Sequence, residues 1–234
     1  MDLVVGLTCF DRFDRFQKCV RSLSRASGTF RTIIFDDASL EISHAFTRDH
    51  LPKAEIYKAR SPSGRADFAI FKLMKILVER GGEFNMLLDS DMVVDPHFFE
   101  WLGNNVERSD GVISLFNTAS HPTLADFGEL LQKRSIGSAG AVFRRDILQR
   151  IVSEVPPSGR YDWDWSKFLN DELGVRILVS KRSFVQHLGL TTGQNSGVFL
   201  GDWGDGFVGF DRDNLSSILD ELDRVNRFIL SRIK

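Results

Sequence analysis

Short apolar runs alternate with segments of helical spacing through the first half of this chain. Leu3-Val4-Val5-Gly6-Leu7 is an unbroken apolar run, the pattern of a strand buried on both faces. Residues 14–25 follow with Phe16, Val20 and Leu23 at helical spacing. Arg31-Thr32-Ile33-Ile34-Phe35 reads as a second strand, ending at Asp36-Asp37, and Ala54-Glu55-Ile56-Tyr57 as a short third. A helix is predicted over about 66–80, with Phe68, Phe71, Leu73, Met74 and Leu77 inside it and Gly81-Gly82 closing it. Phe84-Asn85-Met86-Leu87-Leu88 is a fourth strand, Pro96 opens a short helix over 96–104, and Gly111 to Phe116 is a fifth strand. This alternation predicts an α/β protein with a mainly parallel central sheet and helices on both faces. In such a sheet the ligand crevice lies at the carboxyl ends of the strands.

The second half is less regular. Residues 138–143 form a strand rich in small side chains, 144–151 a helix, and 175–179 another strand, with Ser183-Phe184-Val185 beyond it. Residues 189–210 hold seven glycines, which predicts a loop that closes over a ligand through 191–210, with Trp203 as its anchor. Residues 213–232 have the apolar spacing of an amphipathic helix that packs on the domain. The expectation is one domain over 1–234: a ligand-binding half to 116, a second half over 117–190, and the glycine-rich loop and last helix over 191–234.

Composition narrows the classes. The 234 residues are 42% hydrophobic, enough for a sizeable core, and carry a formal net charge of -2, which argues against a nucleic-acid-binding surface. Cys9 and Cys19 make no CxxC pair, so a reducing compartment is the simpler setting. The first residues lack the pattern of a signal peptide, and no run is long and apolar enough to span a membrane. The expected location is the cytoplasm, with peripheral attachment to a membrane left open. Nothing in the composition speaks to oligomeric state.

The chemistry centres on Asp89-Ser90-Asp91, directly after the fourth strand. Two carboxylates at the end of a buried strand are costly unless something neutralises them. A hard divalent cation, Mg²⁺ or Mn²⁺, does so by taking oxygen ligands from one or two carboxylates and from substrate phosphates. Acid-x-acid at a strand's carboxyl end therefore points to a metal–diphosphate site.

Set in order, these pieces resemble a glycosyltransferase of the GT-A fold, similar to the family-2-like group, over roughly residues 1–190. Val4 to Arg12 resembles the opening strand and loop, and Phe35-Asp36-Asp37-Ala38-Ser39 the second-strand acidic motif. Gly64-Arg65-Ala66 resembles the loop before the long helix, and Leu87-Leu88-Asp89-Ser90-Asp91-Met92 the metal motif. Gly137 to Arg145 resembles the acceptor-side strand, Tyr161-Asp162-Trp163-Asp164-Trp165 the acidic segment with the catalytic base, and Val185-Gln186-His187-Leu188-Gly189 a terminal metal-ligand motif.

The resemblance implies a Rossmann-like GT-A domain that moves a sugar from a nucleoside-diphosphate sugar, a UDP-sugar favoured, to a hydroxyl of a glycan, lipid-linked or protein acceptor. It implies a hexosyl- or N-acetylhexosaminyl-transferase of glycan or polysaccharide synthesis, dependent on Mn²⁺ or Mg²⁺. Asp91 is then the direct metal ligand, Asp89 reaches the ribose or metal-bound water, and His187 is a third ligand or a hydrogen-bonded, partly buried histidine. Thr8 and Phe10 line the base, with Ser90 beside the donor. Asp37 accepts from the base or ribose; Asp36 does likewise or caps the next turn. Arg65 pairs with the diphosphate or is a solvated arginine at a helix start. Asp164, between two tryptophans, is favoured over Asp162 as the base of an inverting reaction; Asp162 is otherwise the N-cap of a helix over 163–173. Trp163 or Trp165 stacks on a sugar or anchors the core.

The family's acidic pair is adjacent, whereas here Trp163 separates the two carboxylates. The choice of base and the stereochemical outcome stay open on that account, a retaining reaction included. Two other classes remain. A nucleotidyltransferase needs a glycine-rich, lysine-containing loop after the first strand, and Thr8-Cys9-Phe10-Asp11-Arg12 has neither feature. A non-catalytic sugar-binding domain does not need Asp89, Asp91, Asp164 and His187 together.

Overall fold

The computed structural model describes residues 1–188 and 203–207, with isolated positions beyond them. The glycine-rich loop lies outside the described residues apart from 203–207, and so does most of the expected helix over 213–232. The elements run β1 (Leu3–Cys9), α1 (Phe13–Arg25), β2 (Arg31–Asp36), α2 (His44–His50), β3 (Glu55–Lys58), α3 (Ala66–Arg80), β4 (Phe84–Asp89), β5 (Met92–Val94), α4 (Phe98–Asn105), β6 (Val112–Ser114), β7 (Thr123–Asp126), β8 (Leu130–Lys133), β9 (Ala141–Arg144), α5 (Arg145–Glu154), α6 (Tyr161–Asp171), β10 (Ile177–Ser180) and β11 (Val185–His187). Among the described residues, no helix is long and apolar enough to cross a membrane.

One large sheet has the order β3-β2-β1-β4-β9-β6-β10-β8-β7. Strands β3, β2, β1 and β4 are parallel neighbours. Strand β9 enters antiparallel between β4 and β6. Parallel pairing resumes for β6 with β10, and the edge is an antiparallel β10-β8-β7 set. The parallel part is thus the N-terminal block that the βα alternation predicted, and the sheet as a whole is mixed.

Alternation along β1 explains the two helical layers. Leu3, Val5 and Leu7 face a core shared with Phe16, Val20 and Leu23 of α1 and Phe98 and Leu102 of α4. Val4 faces the opposite core, with Leu73 and Leu77 of α3, Ile147 and Leu148 of α5, and Tyr161 and Trp165 of α6. Burying each large apolar side chain contributes about 1.5–3 kcal/mol. Gly6 lets α3 approach: a β-carbon there would lie 2.7 Å from Leu77 Cδ1 and 3.1 Å from Leu73 Cδ2.

Two elements carried no clear sequence pattern. Helix α2 buries only Thr47 fully. The β7–β8 hairpin turns at Gly128 (φ 84°), and β7 is an exposed edge without alternation. Helix α6 starts at Tyr161 with Arg160 as its N-cap, so Asp162 lies in the first turn and is not the cap. Its Oδ1 accepts from Trp163 N at 2.9 Å.

Candidate active site

The carboxyl ends of β1, β2 and β4 meet because the strands are parallel and in register: Thr8 lies opposite both Phe35 and Asp89, and Cys9 opposite Asp36. Thr8 Oγ1 donates to Asp89 Oδ1 at 2.7 Å. Ser138, on the approach to β9, donates to Asp89 Oδ2 at 3.0 Å. It is placed there by Gly140, whose N–H donates to Leu87 O at 3.0 Å. Gly140 has φ 65°, and a β-carbon on it would lie 2.9 Å from Val185 Cγ2. Only glycine relieves both constraints.

Ser90 and Asp91 form the turn into β5, which pairs antiparallel with β11 and sets Met92 opposite His187. That pairing puts His187 Nε2 3.5 Å from Asp91 Oδ1. Arg12 Nη1 donates to Asp91 Oδ2 at 2.9 Å. Burial alone would push the Asp91 carboxyl up, but His187 and Arg12 outweigh it and hold the group below the ordinary carboxylate range. Asp89 moves the other way. Burial and then the neighbouring Asp91 raise it, and the Thr8 and Ser138 bonds only partly oppose them. The pair is thus split into one firmly charged carboxylate and one that resists charging.

Arg12 escaped the sequence reading. Its position depends on two consecutive left-handed residues, Asp11 (φ 48°) and Arg12 (φ 54°), which no local pattern announces. Such residues cost about 1–3 kcal/mol each and persist where surroundings over-determine them. Here Asp11 N donates to Ser39 Oγ at 3.0 Å, and Asp11 Oδ1 accepts from Leu40 N at 2.7 Å and Glu41 N at 3.1 Å. Arg12 O accepts from Arg15 N and Phe16 N, starting α1.

Other expected residues have contacts of their own in the fold. Asp36 is fully buried and caps the following turn: it accepts from Ser39 N at 2.7 Å and lies 2.8 Å from His44 Nε2 and 3.5 Å from Lys58 Nζ. Burial opposes its charge, but the Ser39 and His44 bonds keep its carboxyl low. Asp37 accepts from Ser63 N at 2.8 Å and from Ser63 Oγ at 2.5 Å, tying the loop before α3 to the end of β2. Arg65 stands 3.5 Å from Asp67 Oδ2 and over Gly159, just before α6, while Arg12 contacts Asp91. Phe10, directly after β1, is 39% exposed.

A second acidic group faces the first across Gly137 and Ser138. A β-carbon on Gly137 would lie 3.7 Å from Asp162 Oδ2, one residue from the serine that holds Asp89. Burial, then Asp67 and Asp164, push the Asp162 carboxyl up. Asp164 is bound by Ser158 Oγ, which also accepts from Arg160 N. The tryptophans divide: Trp165 is buried in the core, whereas Trp163 is 50% exposed beside His121, ring centroids 5.8 Å apart. His121 is lowered to about 4 by burial and by Lys133, so its ring is neutral near pH 7. Two surface hollows, one bounded by Asp2, Gly28, Phe30 and Phe99 and one by Asp146, Arg150 and Val175, lie away from this cleft.

Among the described residues, no three His, Cys, Asp or Glu side chains converge into a preformed metal cage. The donor set nonetheless suits a cation that also takes phosphate oxygens. Asp91 and His187 supply an oxygen and a nitrogen 3.5 Å apart, while Asp89 is already engaged by two hydroxyls.

This architecture is an α/β GT-A-like fold. No protein-family model matches the sequence, and no curated protein matches it. Among solved structures, the first 349 residues of S. aureus TarS superpose with a TM-score of 0.61 at 15% identity over 79% of this chain. The same segment in complex with UDP-GlcNAc gives 0.61 at 16% identity, and in complex with UDP 0.59 at 17%. The chain spans about 60% of the length of the TarS 1–349 structure, so the likeness concerns the fold.

Proposed function

We propose that this chain transfers a sugar from a nucleoside-diphosphate sugar, a UDP-sugar first, to an acceptor hydroxyl, as a hexosyl- or N-acetylhexosaminyl-transferase of glycan or polysaccharide synthesis. The observation that carries the reading is the convergence of Thr8, Asp89, Ser138, Asp91, Arg12 and His187 at the carboxyl ends of β1 and β4. The TarS structures with UDP-GlcNAc and UDP, which share the fold, support a uridine nucleotide.

On the donor side, Asp91 and His187 would hold Mn²⁺ or Mg²⁺, which supplies Lewis-acid stabilisation of the departing diphosphate. Asp89, oriented by Thr8 and Ser138, keeps spare lone pairs for a ribose hydroxyl. The Phe10 ring offers a face to the base. Ser90 lies in the turn between the two aspartates, beside the donor.

On the acceptor side, Asp162 is a better base than Asp164. Its Oδ2 lies beside Gly137, one residue from the serine that holds Asp89, and burial raises its carboxyl, which suits a proton acceptor. Asp162 takes the acceptor hydroxyl proton, the freed oxygen bonds to the anomeric carbon, and the bond from that carbon to the diphosphate oxygen breaks with its electron pair on the diphosphate. One displacement inverts the configuration. Trp163 gives the acceptor sugar a flat face beside the base, with neutral His121 adding no charge there.

Thermal denaturation tests the donor class. UDP at a hundred times its Kd should stabilise the protein by about 2.7 kcal/mol in the presence of Mn²⁺, and less with chelator. Absence of stabilisation by UDP, GDP and UDP-sugars alike would overturn the reading.

A further inference from the structure

We propose that Arg12 is a ligand for the donor diphosphate that rests on Asp91 until a divalent cation takes that carboxylate. The inference rests on the donor-site reading above. Asp91 is 3% exposed, and a carboxylate so enclosed needs a counter-charge. Beside His187, Arg12 supplies it through Nη1 at 2.9 Å, from a side chain that is itself 35% exposed. The side chain is thus bonded to Asp91 through Nη1 and still partly open to solvent.

A cation held between Asp91 Oδ1 and His187 places a second positive charge on the carboxylate whose Oδ2 Arg12 bonds. Two cations sharing one carboxylate repel, so Arg12 has reason to leave. A bound diphosphate provides the destination, because its oxygens match the planar fork of an arginine. The loop makes this a built device. Asp11 is clamped to Ser39, Leu40 and Glu41, and Arg12 O anchors the first turn of α1. The backbone stays fixed while the long side chain exchanges partners. Arg12 then couples cation binding to donor binding.

The two affinities should respond with opposite signs when Arg12 is removed. Calorimetry on the intact chain measures Mn²⁺ binding without nucleotide, then UDP binding at saturating Mn²⁺. Arg12→Ala should bind Mn²⁺ about ten-fold tighter and UDP about ten-fold weaker, the scale of one charge-assisted hydrogen bond. Arg12→Gln, which keeps the length of the side chain and loses the charge, should show the same pair of changes if the alanine variant folds poorly. Both affinities falling together, or either one unchanged, would overturn the proposal while leaving the donor site intact. A wild-type chain that binds neither Mn²⁺ nor UDP would overturn the donor site and this inference together.

Discussion

Replacing Asp162 by asparagine should lower sugar transfer by about 10²–10⁴-fold, the usual loss on removing a general base. UDP affinity should be unchanged, because the proposed role of Asp162 is on the acceptor side. Asp164→Asn should cost less. Asp164 is bound by Ser158 in the first turn of α6, so its loss disturbs the support and leaves the base in place. If Asp164→Asn is inactive while Asp162→Asn transfers at near wild-type rate, the two roles are exchanged. Retained anomeric configuration in the product would contradict single displacement whichever aspartate matters. The pH profile adds a check with a definite sign. A base works only when deprotonated, so the rate falls as pH drops through the Asp162 pKa. Burial and Asp67 raise that pKa, which sets the acid limb above the ordinary aspartate range. Asp67→Asn removes one of the raising charges and should move the limb to lower pH.

Asp91→Ala should abolish metal-dependent donor binding, with Mn²⁺ affinity falling at least about 100-fold. Loss of an outer-shell partner alone typically costs 10–100-fold, and Asp91 is read as a direct ligand. The fold should survive the change. Breaking a fully buried ion pair costs about 3–5 kcal/mol, but Arg12 is 35% exposed and can return to water. Asp89 also loses the like charge that raises its carboxyl, which offsets part of the cost. Calorimetry with Mn²⁺ and UDP, beside a melting curve of the same variant, separates the two effects. Undiminished Mn²⁺-dependent UDP binding in Asp91→Ala would remove Asp91 from the site.

The parts of this site that were legible in the sequence are those tied to strands. Thr8, Asp89 and the turn to Asp91 follow from unbroken apolar runs whose carboxyl ends must coincide in a parallel sheet. Asp36 was legible only as a choice between ligand and cap, and its burial with Ser39 and His44 realises the cap. What depends on helical phase or loop conformation was not legible. One start point for α6 makes Asp162 an N-cap, and the observed start two residues earlier leaves it facing Gly137. The same phase buries Trp165 and exposes Trp163, two residues that no periodicity distinguishes. Arg65 was legible as a candidate phosphate arginine because it precedes a long helix, whereas its contacts with Asp67 and Gly159 were not legible. Arg12 owes its place to left-handed backbone at non-glycine residues, stabilised by Ser39, Leu40 and Glu41 from another loop.

The central claim is that the carboxyl ends of β1 and β4 bind a nucleoside diphosphate. Amide chemical-shift mapping of the isotopically labelled chain, titrated with UDP in the presence of Mg²⁺, tests it most directly. The account predicts saturable perturbations concentrated at Thr8–Arg12, Asp89–Asp91 and Gly137–Ser138. Perturbations centred on Asp2, Gly28 and Phe99 at the opposite end of the sheet, or none at millimolar UDP, would contradict it.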